Sequence, residues 1–184
     1  MPNDPAPPMR GDGSASRHAM HFAEVVRAAA NAQGHDRAST TTVLRFEGDQ
    51  IVALSGIDER LDSVQRLDIG VPGIASQVFR HDPPLPYELE QAIDLVEEQV
   101  MHLRKAEVGE RLLTGDDRLH AWAENMGPMV PLDTVEQWFQ RLASASLGRP
   151  SALDGLPGGA EAAAALLVLR EFMHHLGYCS VLIV

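Results

Sequence analysis

An α+β fold, with a mostly antiparallel sheet of about five or six strands covered by four main helices, is predicted by three stretches of the sequence. Pro86–Lys105 carries Leu89, Ala92, Ile93, Val96, Val100 and Leu103 at steps of three and four, so a helix gathers them on one stripe. Thr41–Phe46 and Gln50–Leu54 are β-branched runs around Glu47-Gly48-Asp49, which reads as a hairpin. Tyr178–Val184 is a continuous apolar run that suits a buried strand. Hairpins, in place of β-α-β crossovers, favour helices gathered on one face of an antiparallel sheet.

Taken in order, residues 1–15 are rich in proline and glycine and read as a loosely attached tail, leaving 16–184 as a single domain. Ser16 is a candidate cap for a helix to about Gln33, with Phe22, Val25, Val26 and Ala29 inward and Gly34 ending it. His18 and His21 of that helix read as solvated. After the first hairpin, Leu61–Ile69 alternates as a third strand, Gly70-Val71-Pro72-Gly73 breaks it, and a short helix follows to about Arg80.

In the helix from Pro86, proline suits the first turn, early acids match the positive end of the dipole, and His102, Arg104 and Lys105 match the other end. Glu88 falls with Glu90, Gln91, Asp94, Glu97 and Glu98 on its polar face. Glu110–Thr114 and Arg118–Ala123, joined by Gly115-Asp116-Asp117, read as a second hairpin. Asp133-Thr134-Val135-Glu136 has the form of a capping box for a helix that Gly148 stops. Ala160–Leu176 is a further helix with Gly177 at its C′ position. The terminal strand, which would pair edge to edge if exposed, belongs at the sheet centre or in an oligomer interface.

Composition narrows the function. Net charge is −11, from 26 acids and 15 bases, which disfavours nucleic acid and anionic membrane surfaces. No apolar run reaches the roughly 20 residues that span a bilayer, and residues 1–13 show no secretory signal pattern. Cys179 is the single cysteine, so the expected location is the cytoplasm. Lys105 is the single lysine and precedes Ala106, so no Gly-Lys-Ser/Thr phosphate loop exists. The arginine and alanine bias suggests a bacterial coding sequence. Gly-x-Ser-x-Gly, His-Glu-x-x-His, Cys-x-x-Cys and a Gly-x-Gly-x-x-Gly after a strand are all absent, and no motif calls for a cofactor.

Two readings survive. The first is an association or accessory module, a homo-oligomer or the partner of another protein, motivated by the apolar terminal strand and the missing catalytic signatures. The alternative is a small hydrolase or phosphate-handling enzyme at the 68–82 region. There Asp68, Gly70 and Gly73 lie between a strand end and a helix start, where free N–H groups can hold an anion, with Arg80 following. His81 and Asp82 are the candidate acid–base pair. Glu171 and His174, spaced Glu-x-x-His, form half of a carboxylate-bridged metal motif without its second half, so no metal site is assigned and the pair stands as a side alternative. Cys179 is expected to be buried and unreactive.

Overall fold

The structure, a computed structural model, describes residues 12–33, 39–124 and 127–184. Helix α1 spans Asp12–Gln33, and strands β1 (Thr40–Glu47), β2 (Gln50–Ile57) and β3 (Arg60–Leu67) follow as a meander. Helix α2 (Val71–Gly73) continues as a π-turn through Ile74–Val78. Then come α3 (Pro86–Met101), β4 (Arg111–Thr114), α4 (Asp117–Ala123), β5 (Met129–Pro131), α5 (Leu132–Ser146), α6 (Ala160–Leu176) and β6 (Ser180–Ile183).

The six strands form one sheet in the order β3-β2-β1-β4-β6-β5. The pairs β1·β2, β2·β3 and β5·β6 are antiparallel, whereas β1·β4 and β4·β6 are parallel. The sheet is therefore mixed, although antiparallel pairing predominates. Its four long helices are α1, α3, α5 and α6, matching the predicted class. The terminal strand β6 is interior, between β4 and β5, so it needs no partner chain to hide it.

Period-two alternation divides the core. Leu44, Ile51, Ala53, Leu112, Val181 and Ile183 face the layer of α3, α5 and α6, whose Leu167, Val168, Phe172 and Val96 are fully buried. Val43, Val52, Leu54, Leu113 and Leu182 face the other way, onto Phe22, Val25 and Ala29 of α1. Helices thus cover both faces. The expectation of one covered face fails because the outward-facing residues of β1, β2 and β4 are themselves apolar and require a lid.

Three further expectations need correction. The second hairpin is absent: Arg118–Ala123 is helical, because Asp116 accepts the Arg118 N–H and caps α4. β4 pairs in parallel with β1 and β6 instead. The Asp133 capping box is also absent, since α5 starts at Leu132 after Pro131 with no side-chain cap, and Glu136 turns to Arg170. Helix α1 begins at Asp12, ahead of the Ser16 cap; residues 1–11 and the Gly34 stop lie outside the described residues.

Candidate functional site

Strands β1, β3, β4 and β6 run in one direction, so their carboxyl ends share one edge of the molecule, where open α/β sheets place their ligands. The loop Asp68–Gly73 leaves β3 at that edge. Gly70 is obligatory there: a Cβ would lie 2.4 Å from the Gly48 carbonyl oxygen and 2.5 Å from the Asp49 Cα. This contact presses the β3–α2 loop onto the β1–β2 turn and brings Asp49 beside Asp68.

A cleft of about 300 Å³ opens between them, lined by Asp49, Asp68, Gly70, Gly73, Gln77 and Gln99 over Ile74 and Leu95. Asp68 is held at two atoms. Its Oδ1 accepts from Gln50 Nε2 at 2.9 Å, and its N–H donates to Gln99 Oε1 at 3.1 Å. The cleft offers two carboxylates and two carboxamides, a set that can accept protons from water and donate hydrogen bonds to oxygen. Asp68, Gly70 and Gly73 therefore share one cleft, together with Asp49, which the sequence reading had not selected.

Arg80, His81 and Asp82 do not line this cleft. Arg80 and Asp82 are exposed, and His81 turns Nδ1 to Glu88 Oε1 at 2.8 Å, so it does not form a pair with Asp82. Glu88 is fully buried, contrary to its assignment to the polar face of α3. Its oxygens also accept the Leu85 N–H at 2.9 Å, the Arg80 N–H at 3.2 Å and the Tyr87 hydroxyl at 3.3 Å. Because an ionised carboxylate only accepts, His81 Nδ1 carries the hydrogen. Burial alone would raise the Glu88 carboxyl, but His81 and the N–H groups of Leu85 and Arg80 outweigh it and hold it at about 2, below the usual 4.5. With four donors on its two oxygens, this carboxylate anchors the turn into α3.

At the same edge, Arg118 lies 5.4 Å over the Phe46 ring and is clamped by Asp116 at 2.8 Å and Glu161 at 3.4 Å. Hydrogen bonding to Asp116 raises its guanidinium above the ordinary value, against the opposing effect of partial burial. Glu47 near the end of β1 is held by Arg45 at 2.9 Å and by His18 at 3.2 Å. His18 is therefore buried, not solvated. Its period placed it on the inner stripe of α1 with Phe22 and Val25, a signal available in the sequence.

The Glu171–His174 alternative separates. His174 is exposed and meets the edge of His175, whereas the buried Glu171 takes Arg170 at 2.5 Å and His175 at 3.3 Å. Among the described residues, no group of three or more His, Cys, Asp or Glu is placed to hold a metal. Cys179 is exposed, which corrects the expectation of a buried thiol: it precedes β6 and so escapes the strand's burial. No helix among the described residues is long and apolar enough to cross a membrane.

No protein-family model matches the sequence, and no curated protein matches it. Solved structures do. A Ppx/GppA family member of Aquifex aeolicus superposes with a TM-score of 0.71 at 12% identity, covering 89% of this chain and 57% of that one. An exopolyphosphatase-like protein gives 0.66 at 10% identity, covering 89% and 62%. An exopolyphosphatase from Cytophaga hutchinsonii gives 0.62 at 14% identity, covering 91% and 59%. The chain thus spans a little over half the length of these proteins, and at such identities the likeness is one of fold.

Proposed function

We propose that the chain is a phosphate-handling protein that takes a phosphate anhydride or ester in the Asp49–Asp68 cleft. The observation that carries this reading is the place of the cleft: it opens at the carboxyl end of β1 and β3, in a fold shared with proteins described as exopolyphosphatases. Fold alone would not suffice, because one fold hosts many activities. In the hydrolytic form, Asp68, oriented by Gln50, accepts a proton from water as the water oxygen attacks phosphorus. The bridging P–O bond breaks, and the leaving oxygen retains the bonding pair. The lining contains no Lys or Arg, so the phosphate charge must be balanced by a cation bound to the substrate.

The test is phosphate release from tripolyphosphate and from a phosphate monoester, each with magnesium present, followed by 31P NMR. Asp68→Asn should lower kcat by roughly 10²- to 10⁴-fold with a smaller change in KM. Absence of turnover together with absence of tripolyphosphate binding in equilibrium dialysis, or full activity in Asp68→Asn, would overturn the proposal.

A second reading keeps the chain as an association module, a homo-oligomer or accessory subunit in the cytoplasm. Its support is the large apolar side chains left exposed on α1 and α3, Met20, Tyr87, Leu95 and Met101. Light scattering that finds a monomer at all concentrations would remove the homo-oligomer.

A further inference from the structure

A second cavity, of about 360 Å³, lies at the opposite end of the sheet, where β1 begins and β2 ends. Ser55, Gly56, Ile57, Asp62, Ser63 and Glu107 line it together with Thr40 and the Val108-Gly109 backbone. Ser55 in its lining is backed by Thr42, and the two form a buried hydroxyl pair. Thr42 is fully buried and Ser55 is 5% exposed, with their oxygens 2.8 Å apart. The register of β2 against β3 shifts between Ser55 and Gly56, a bulge of the kind that re-aims side chains beside binding sites. Gly109 is equally constrained, because a Cβ there would lie 2.5 Å from the Thr41 nitrogen.

Counting protons shows what this pair offers. Thr42 Oγ1 accepts the Gly109 N–H at 2.7 Å. Thr42 and Ser55 share one hydrogen bond that either hydroxyl can donate. Ser55 Oγ therefore presents its own proton or a free lone pair to the cavity, according to which of the two donates. On the rim, Ser63 donates to Glu107 Oε2 at 2.8 Å, while Glu107 Oε1 pairs with Arg104 at 2.7 Å. Asp62 pairs with Arg60 at 3.0 Å.

This pattern selects a ligand class. An anion would face two carboxylates with no free cation in the lining. A cation finds both carboxylates already paired with arginine. An apolar molecule would strip water from hydroxyl groups without replacing those hydrogen bonds. A molecule bearing several hydroxyls satisfies every group, because a hydroxyl can accept from or donate to Ser55 and can donate to Glu107 and Asp62. We propose that this cavity binds a small neutral polyhydroxylated molecule, of the size of glycerol or a monosaccharide, at a site separate from the Asp49–Asp68 cleft.

Saturation-transfer NMR on the full chain tests this, with glycerol and glucose as probes and inorganic phosphate and spermidine as charged comparators. At least one neutral probe should receive saturation. Ser55→Ala and Glu107→Gln should each weaken its Kd by about three- to tenfold, as expected for one lost hydrogen bond. Asp68→Asn, in the other cleft, should leave the Kd unchanged. Glu107→Gln alters a half-buried rim residue outside the core, so it remains informative if Ser55→Ala fails to fold. Saturation of phosphate or spermidine but of neither neutral probe, or a Kd unmoved by the variants that fold, would overturn the proposal. Neither result depends on phosphate turnover.

Discussion

Glu88 illustrates how much one buried carboxylate can hold. It accepts from the N–H groups of Arg80 and Leu85, from Tyr87 and from His81, so it ties the segment 80–87 to the start of α3. Its carboxyl is held at about 2 in the folded chain, against 4.5 ordinarily. A lowered folded value means that the unfolded chain binds the proton first, so this contribution is complete above about 4.5 and is lost as pH falls toward 2. Urea unfolding between pH 6 and pH 3 should therefore show a fall in stability that Glu88→Gln largely abolishes; an equal fall in both proteins would refute the assignment. The sequence stripe placed Glu88 outward because periodicity registers hydrophobicity, not hydrogen bonds. Its position three residues after Leu85 was the overlooked signal, since a Glu there reaches back to the N-cap N–H. The same limit explains the cleft: Asp68, Gly70 and Gly73 are contiguous and legible, whereas Asp49 joins them only because Gly70 packs on the β1–β2 turn.

Among the elements, those with a strong period were legible and those decided by pairing were not. Helices α3 and α6 and the β1–β2 hairpin follow directly from spacing and turn chemistry. Residues 118–123 alternate well enough to pass for a strand, yet Asp116 caps them into a helix. Parallel pairing of β4 with β1 joins residues about 70 positions apart, which no local pattern encodes. Helix α1 differs from the other long helices in lying alone on its face, with Phe22, Val25 and Ala29 forming the smaller cluster. Few apolar contacts make an element open before the global transition. Amide exchange should accordingly be faster throughout α1 than in α6, and Phe22→Ala should destabilise the chain by roughly 3–5 kcal/mol. Equal protection in the two helices would show that α1 is part of the main cooperative unit.

For the whole molecule, acidity and topology act together. The carboxyl edge of the sheet collects Glu47, Asp49, Asp68, Asp116, Asp117 and Glu161, on a chain of net charge −11. Arg45 and Arg118 neutralise only part of it. Folding brings these carboxylates together, so the compact state carries self-repulsion that the expanded chain relieves. Surface ion pairs such as Arg60–Asp62 oppose this trend, but each contributes little in water. Raising salt from about 10 mM to about 150 mM shortens the screening length from about 30 Å to about 8 Å, which weakens edge-wide repulsion more than contacts near 3 Å. The thermal midpoint should therefore rise, by about 2–4 °C for each kcal/mol of repulsion removed from a domain of this size. Scanning calorimetry across that range decides the sign. A midpoint that falls with salt would mean that paired charges outweigh the repulsion, and that the acidic edge is balanced in the folded chain without a bound cation.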